Sequence, residues 1–86
     1  MADTMSGKIT VKLFAFLREK LPPENDGYGF EYTLKQDTVP QDIIDLLEIS
    51  ERMVNLVMVD GRHLLREEYR TRVLKPGESL AIVPPV

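Results

Sequence analysis

The residue types that most often perform chemistry in proteins are nearly absent from this chain. It has no cysteine and one histidine, so zinc sites of the usual ligand types cannot be assembled from it alone. A serine triad would have to use His63, which follows the predicted tight turn Asp60-Gly61, and a solvent-facing hairpin histidine is the favoured interpretation. We therefore predict no catalytic residue, no metal site and no cofactor, and a protein that is not an enzyme by itself.

The C-terminal segment is the remaining candidate for chemistry or recognition. Residues 80–86 read LAIVPPV, an apolar strand that runs into two prolines. Pro84 and Pro85 have no N–H group to extend a sheet, so they should end the strand and keep the chain extended. We expect Pro84, Pro85 and Val86 to leave the sheet as a stub that contacts a partner.

Length and charge exclude several classes of protein. Eighty-six residues suffice for one domain, which we assign to residues 8–86, after a polar segment at 1–7 that is expected to be disordered. The net charge of −3 argues against a nucleic-acid binder. Without a signal peptide, or an apolar run near the roughly 18 residues of a membrane span, we expect a cytoplasmic protein with no membrane partner.

Hydrophobic periodicity predicts an α+β fold, a mixed sheet packed on one main helix. The final strand should lie parallel to the first in the middle of the sheet, which is a ubiquitin-like β-grasp roll. Two turns are signalled, by Asp60-Gly61 and by Pro76-Gly77. The predicted strands are 8–14, 28–34, 56–59 and 80–83, with a short helical turn at 15–21.

The helix is predicted to begin at Thr38, with Gln41 completing a capping box and Pro40 in the first turn. A stripe at three- and four-residue spacing should face the sheet while Asp42, Asp45 and Glu48 face water. The stripe consists of Val39, Ile43, Leu46 and Leu47, with Met53 as its possible continuation. The predicted core is Ile9, Val11, Leu13, Ile43, Leu46, Leu47, Leu80 and Ile82.

A second group of apolar residues falls on the outward phase of the strands. Phe14, Ala81 and Val83 would form an apolar patch on the open face of the sheet, next to the stub, and such a patch is typical of a docking surface. Phe14→Glu should then remove partner binding and leave folding nearly intact. The alternative is that Phe14 folds under the following loop as a second small core.

A basic run lies between the hairpin and the final strand. It contains Arg62, Arg66, Arg70 and Arg72, interleaved with glutamates and with Tyr69. The favoured interpretation is a solvated loop with salt bridges, anchored by the tyrosine. The alternative is a basic edge that steers an acidic partner.

Four segments in this order resemble the ubiquitin-like sulfur carriers of the MoaD/ThiS family. They are ITVKLFAFLREKL, DTVPQDIIDLL, VMVDGR and LKPGESLAIVPPV, and the resemblance extends over about residues 8–86. It is strongest to the small subunit of molybdopterin synthase. The resemblance implies that a terminal carboxylate is adenylated by an ATP-dependent activating enzyme and converted to a thiocarboxylate. Its sulfur is then delivered inside the large synthase subunit, during molybdenum or tungsten cofactor synthesis.

The sequence departs from that family after Pro-Pro-Val, where the carriers continue to Gly-Gly. Glycine lets backbone approach closely in a narrow channel, and three absent residues would leave the carboxylate about 10 Å short. As printed, the chain is therefore not expected to carry sulfur. The explanations are a sequence cut before the glycines, completion of the tail by processing, or a carrier relative that serves only as an interaction module. A β-grasp domain associated with RNA is disfavoured by the charge.

Overall fold

The computed structural model describes residues 7–20 and 29–85. The strands are β1 (Lys8–Leu13), β2 (Gly29–Thr33), β3 (Leu56–Val59), β4 (Arg62–His63) and β5 (Ser79–Val83), and the α-helix is α1 (Pro40–Leu46). Short 3₁₀ helices span Ala15–Lys20, Glu51–Met53 and Arg66–Arg70. The prediction of disorder for residues 1–7 falls mostly outside the described residues. No helix in the described part of the chain is long and apolar enough to span a membrane.

The five strands form one mixed sheet in the order β2-β1-β5-β3-β4. β1 runs parallel to β5 in the middle, while β2 and β3 pair antiparallel to them on either side. This is the β-grasp arrangement, so the predicted α+β fold and the central parallel pair are confirmed.

One face of the sheet packs on α1 and forms the core. Alternate residues of β1, β5 and β3 are almost completely buried, and Ile43 and Ile44 of the helix meet them. The prediction placed Leu46 in this core, and it is wrong, because the Leu46 side chain is 55% exposed. Leu47 is half-buried against the core. The sheet residues that face the helix are Ile9, Val11, Leu13, Val57, Val59, Leu80 and Ile82.

The start of α1 also differs from the prediction. The helix is capped at Val39, whose N–H donates to the Asp42 carboxylate at 2.9 Å. Thr38 is buried, and its hydroxyl donates to the Lys35 carbonyl at 2.8 Å instead of capping the helix. Gln41 donates to Asp45 on the exposed side. Pro40 has no N–H group at the first helical position, and the Asp42 N–H donates to the Val39 carbonyl at 2.9 Å, so Val39 and Asp42 satisfy each other across the helix start.

Both predicted turns are present, and each has the backbone that its residues favour. Asp60 and Gly61 have φ of 52° and 84°, as a two-residue hairpin turn requires. Gly77 has φ of 88° in the turn that leads into β5. The Asp60 carboxylate also accepts a hydrogen bond from the Ser79 N–H at 2.8 Å, which ties the hairpin to the first residue of β5.

Candidate docking surface

The face of the sheet turned away from α1, here called the open face, carries a cluster of apolar side chains. Because successive side chains of a strand point to opposite faces, burying Leu80 and Ile82 directs Ala81 and Val83 outward. Burying Val57 and Val59 directs Leu56 and Met58 to the same side. All four outward residues are half-buried. We call Leu56, Met58, Ala81 and Val83 the apolar patch.

Strand register brings the patch together. Val83 lies opposite Leu56, and Ala81 lies opposite Met58. The pairing continues past the end of β3, where the Asn55 N–H donates to the Val83 carbonyl at 2.8 Å. The patch is therefore held by two hydrogen-bonded strands, and its position on the sheet does not depend on a loop.

The sequence predicted Ala81 and Val83 in this patch but missed Leu56 and Met58. The segment LVMV is apolar at every position, so it contains no alternation from which a face could be assigned. Only the register with β5 reveals which two residues point outward. In LAIV the larger residues Leu80 and Ile82 alternate with smaller ones and so indicate the buried face. The residues of β3 show no such alternation in size.

Phe14, the third residue of the predicted patch, follows the last residue of β1. Its side chain is half-buried, and its carbonyl accepts a hydrogen bond from the Leu17 N–H at 3.1 Å. Ala15 has φ of 52°, so the chain turns away from the strand direction directly after Phe14. The assignment of Phe14 to a partner-binding surface stays a prediction.

The tail that continues from β5 is described as far as Pro85. The strand ends at Val83, as the two prolines predict. Pro84 is buried and Pro85 is exposed, so the expectation that both prolines stand away from the sheet is wrong for Pro84. Val86 lies outside the described residues. The chain therefore reaches the surface one residue later than expected, next to the Val83 end of the apolar patch.

The basic run divides into paired and unpaired side chains. Arg72 donates two hydrogen bonds to the Glu78 carboxylate, at 3.0 and 2.6 Å. Foremost through this contact, and also through the N–H of Lys75, the pKa of Glu78 is held below its ordinary value of 4.5. Partial burial acts in the opposite direction and is outweighed. The Glu78 pair joins the loop to the turn before β5, so its role is structural.

The other arginines of the run are exposed. Arg66 lies 3.6 Å from Glu51, between side chains that are 61% and 90% exposed, so this pair is weak. Arg62 and Arg70 are exposed, while Tyr69 is 7% exposed and anchors the 3₁₀ helix that carries the run. The exposed arginines and the buried tyrosine agree with the favoured interpretation, although Arg62 lies in β4 and Arg66–Arg70 form a 3₁₀ helix and no loop. The steering of an acidic partner stays a prediction.

A groove of about 420 Å³ lies on the other side of the molecule, between α1 and the two later 3₁₀ helices. Its lining includes the buried apolar side chains of Ile44, Ile49 and Val54 and charged side chains of both signs, from Asp45, Glu51, Glu67, Arg66 and Arg70. No group of three side chains suited to a metal ion occurs among residues 7–20 and 29–85. His63 is exposed at the edge of the sheet, as predicted.

Comparison with known proteins supports the fold. No protein-family model and no curated protein matches the chain. The solution structure of the HVO 2177 protein of Haloferax volcanii is similar, with a TM-score of 0.73 and 18% sequence identity. The match covers 95% of this chain and 86% of that protein. At this level of identity the similarity establishes a shared fold and no more.

Proposed function

We propose that the protein is a ubiquitin-like protein of the sulfur-carrier type, which docks on a partner enzyme through the apolar patch. The observation that carries the proposal is that β5 supplies both half of the patch and the start of the tail. A partner held against Ala81 and Val83 necessarily has the chain that follows Val83 at its surface. Docking would therefore give the residues after Pro85 a defined starting point on the partner, because they continue from β5.

The chemistry of such a protein belongs to its terminal carboxylate. The sequence resemblance to the MoaD/ThiS family supplies this part of the proposal, including the two kinds of partner. One is an ATP-dependent activating enzyme, at which a carboxylate oxygen attacks the α-phosphorus of ATP and pyrophosphate leaves. Hydrosulfide from a sulfur donor would then attack the acyl carbon and displace AMP, which gives the thiocarboxylate. The other is a protein similar to the large subunit of molybdopterin synthase, which would take the sulfur. The protein itself contributes position and contacts and no catalytic side chain.

A second function is favoured by the burial of Pro84. A tail that packs on the domain for one residue beyond β5 suits an interaction module, in which the apolar patch binds a partner and the tail is only part of the contact surface. The two functions share the docking surface. They differ in whether a C-terminal carboxylate is activated.

The test compares three chains of otherwise identical sequence, one ending at Val86, one followed by Ser-Gly-Gly and one followed by Ser-Ala-Ala. Each is incubated with ATP and an activating enzyme of the sulfur-carrier systems, and pyrophosphate release is measured. We expect release only with Ser-Gly-Gly, since three residues extend the reach by about 10 Å and glycine alone permits close backbone approach. The Ser-Ala-Ala chain is the control for length without that freedom.

The carrier proposal is contradicted if the Ser-Gly-Gly chain stays inert with several activating enzymes while the chain ending at Val86 binds another protein tightly. The interaction module would then be the better description. Equal release from the Ser-Gly-Gly and Ser-Ala-Ala chains would leave the carrier function standing and reject the argument from glycine.

A further inference from the structure

The apolar patch is bordered by a basic side chain on each side. Lys12 of β1 lies beside Ala81, Ala81 lies beside Met58, and Met58 lies beside His63 of β4. These four residues form one row across the sheet. Since neighbours in register share a face, Lys12 and His63 both lie on the open face, with the apolar residues between them.

Neither bordering residue is occupied by an acidic partner of its own. Lys12 and His63 are exposed, and neither takes part in an ion pair within the described part of the chain. Lys8, on the same face of β1, is different, because it lies 4.0 Å from Glu31. The chain as a whole carries a net charge of −3 with the histidine counted as neutral, so Lys12 is opposite in sign to the molecule as a whole, and His63 offers a ring N–H donor.

We infer that the docking partner presents an apolar contact flanked by two carboxylates, and that Lys12 and His63 determine this specificity. The inference rests on the proposed function for the use of the open face, and it adds the chemistry of the partner. The row crosses three strand spacings of about 4.8 Å each, so the two carboxylates should lie about 14 Å apart. A partner with basic flanks would be rejected by like charges, and charge complementarity of this kind sets specificity and the rate of association.

A short peptide can reproduce the inferred pattern without any activating enzyme. In an extended peptide, residues four apart are separated by about 13 Å. Acetyl-Glu-Ala-Leu-Ala-Glu-amide therefore carries two carboxylates at the required spacing, with the leucine between them on the same side of the extended peptide. The comparison peptide has lysine in place of both glutamates. Binding to ¹⁵N-labelled protein is followed by the shifts of backbone amide signals, which detect millimolar affinity.

We expect the glutamate peptide to shift the amide signals of Lys12, Ala81, Met58 and His63 and to bind more tightly than the lysine peptide. Lys12→Gln should weaken its binding by about 1.5- to 5-fold, the range for a single exposed charge pair, and His63→Ala should weaken it as well, because it removes the ring N–H donor. Lys8→Gln is the matched control, since it removes a lysine from the same face that already has a partner, and it should leave the affinity unchanged. Added salt should weaken binding to the wild type more than to Lys12→Gln, which lacks the positive charge.

A reversal of charge gives the sharper test. Lys12→Glu should favour the lysine peptide over the glutamate peptide relative to the wild type. The inference is overturned if the two peptides bind the wild type equally, if the shifts map away from this row, or if millimolar peptide causes no shift. Because no ATP or activating enzyme is present, this result is independent of adenylation. Loss of charge selectivity would leave the sulfur-carrier function open, and an inert Ser-Gly-Gly tail would leave the peptide result intact.

Discussion

At the scale of single residues, the Arg72–Glu78 pair shows how a charged contact can fix a loop in a protein with a small core. The Glu78 carboxylate accepts both hydrogen bonds from Arg72 and a third from the Lys75 N–H at 2.7 Å. Its side chain is 14% exposed, against 33% for Arg72. The backbone carbonyl of Glu78 accepts a hydrogen bond from the Thr10 N–H of β1 at 3.0 Å. One residue thus connects the basic run, the turn and the central strands.

This pair predicts an acid-sensitive part of the stability. Because the pKa of Glu78 is lower in the folded protein than its ordinary value of 4.5, the folded state binds the proton less readily than the unfolded state. The contribution is complete above pH 4.5 and is lost as the pH falls through the lower, folded value. Glu78→Gln should decrease the free energy of unfolding by about 1–3 kcal/mol at neutral pH. The difference from wild type should shrink below pH 4.5 in urea titrations.

The control for Glu78 is Glu31→Gln, which removes a carboxylate from an exposed pair with Lys8 at 4.0 Å. Its effect should be within about 1 kcal/mol at every pH, because exposed ion pairs contribute little. The difference in the free energy of unfolding between Glu78→Gln and wild type could instead stay constant through the acid range. That result would show that the loss comes from the hydrogen bonds and does not depend on the ionisation of Glu78.

A second prediction at this scale concerns the buried side of α1. Ile44→Ala should decrease the free energy of unfolding by about 2–5 kcal/mol, since it leaves a cavity under a side chain that is 2% exposed. Leu46→Ala removes a side chain that is 55% exposed and should change stability by no more than about 0.5 kcal/mol. Urea unfolding of both variants is the measurement. Equal losses would mean that the helix is rotated from the orientation described here.

At the scale of elements, what the sequence could predict depended on whether the signal was local. The Asp60-Gly61 hairpin, the Pro76-Gly77 turn and the end of β5 each follow from the backbone preferences of the residues concerned, and all are present. The prediction of the buried face of α1 was partly wrong, because the three- and four-residue spacing was counted from Val39. The buried positions of α1 are Pro40, Ile43 and Ile44, which fit the usual three- and four-residue spacing once the proline is counted as a core residue. Because Pro40 was interpreted only as a residue of the helix start, Ile44 was not recognised as a buried position.

The helix also yields a prediction about its start. α1 has seven residues, too few to be stable without tertiary packing and capping. Asp42→Ala removes the carboxylate that accepts the Val39 N–H and should decrease the free energy of unfolding by about 1 kcal/mol. Asp45→Ala removes the same charge from the same helix but only a hydrogen bond from the Gln41 side chain, and none from the backbone, so about 0.3 kcal/mol is expected. If urea unfolding gives similar losses for the two variants, the negative charge stabilises α1 and the capping hydrogen bond does not.

At the scale of the whole molecule, the sheet separates two tasks. Its inner face holds the core, and mutations there act on folding. Its open face carries the apolar patch between Lys12 and His63, next to the strand from which the tail leaves. The candidate site could be predicted only where alternation was visible, in β5, because the contribution of β3 depends on a pairing between strands that are far apart in sequence. Binding and folding should consequently be separable by substitutions on opposite faces.

Met58→Glu tests that separation, and Thr33→Glu is its matched control. Met58 is half-buried within the patch, whereas Thr33 is exposed on the open face of β2, two strands away from β5. Both variants add one negative charge to the same face of the sheet.

Each should keep its free energy of unfolding within about 1 kcal/mol of wild type, because neither residue belongs to the core. In the chain extended by Ser-Gly-Gly, only Met58→Glu should reduce ATP-dependent pyrophosphate release at limiting concentration, by at least about tenfold, since it replaces an apolar contact by a carboxylate that must lose its water on docking. If Thr33→Glu reduces release as strongly, overall charge governs the encounter. If Met58→Glu releases pyrophosphate as well as wild type, the activating enzyme docks elsewhere and the apolar patch serves another partner.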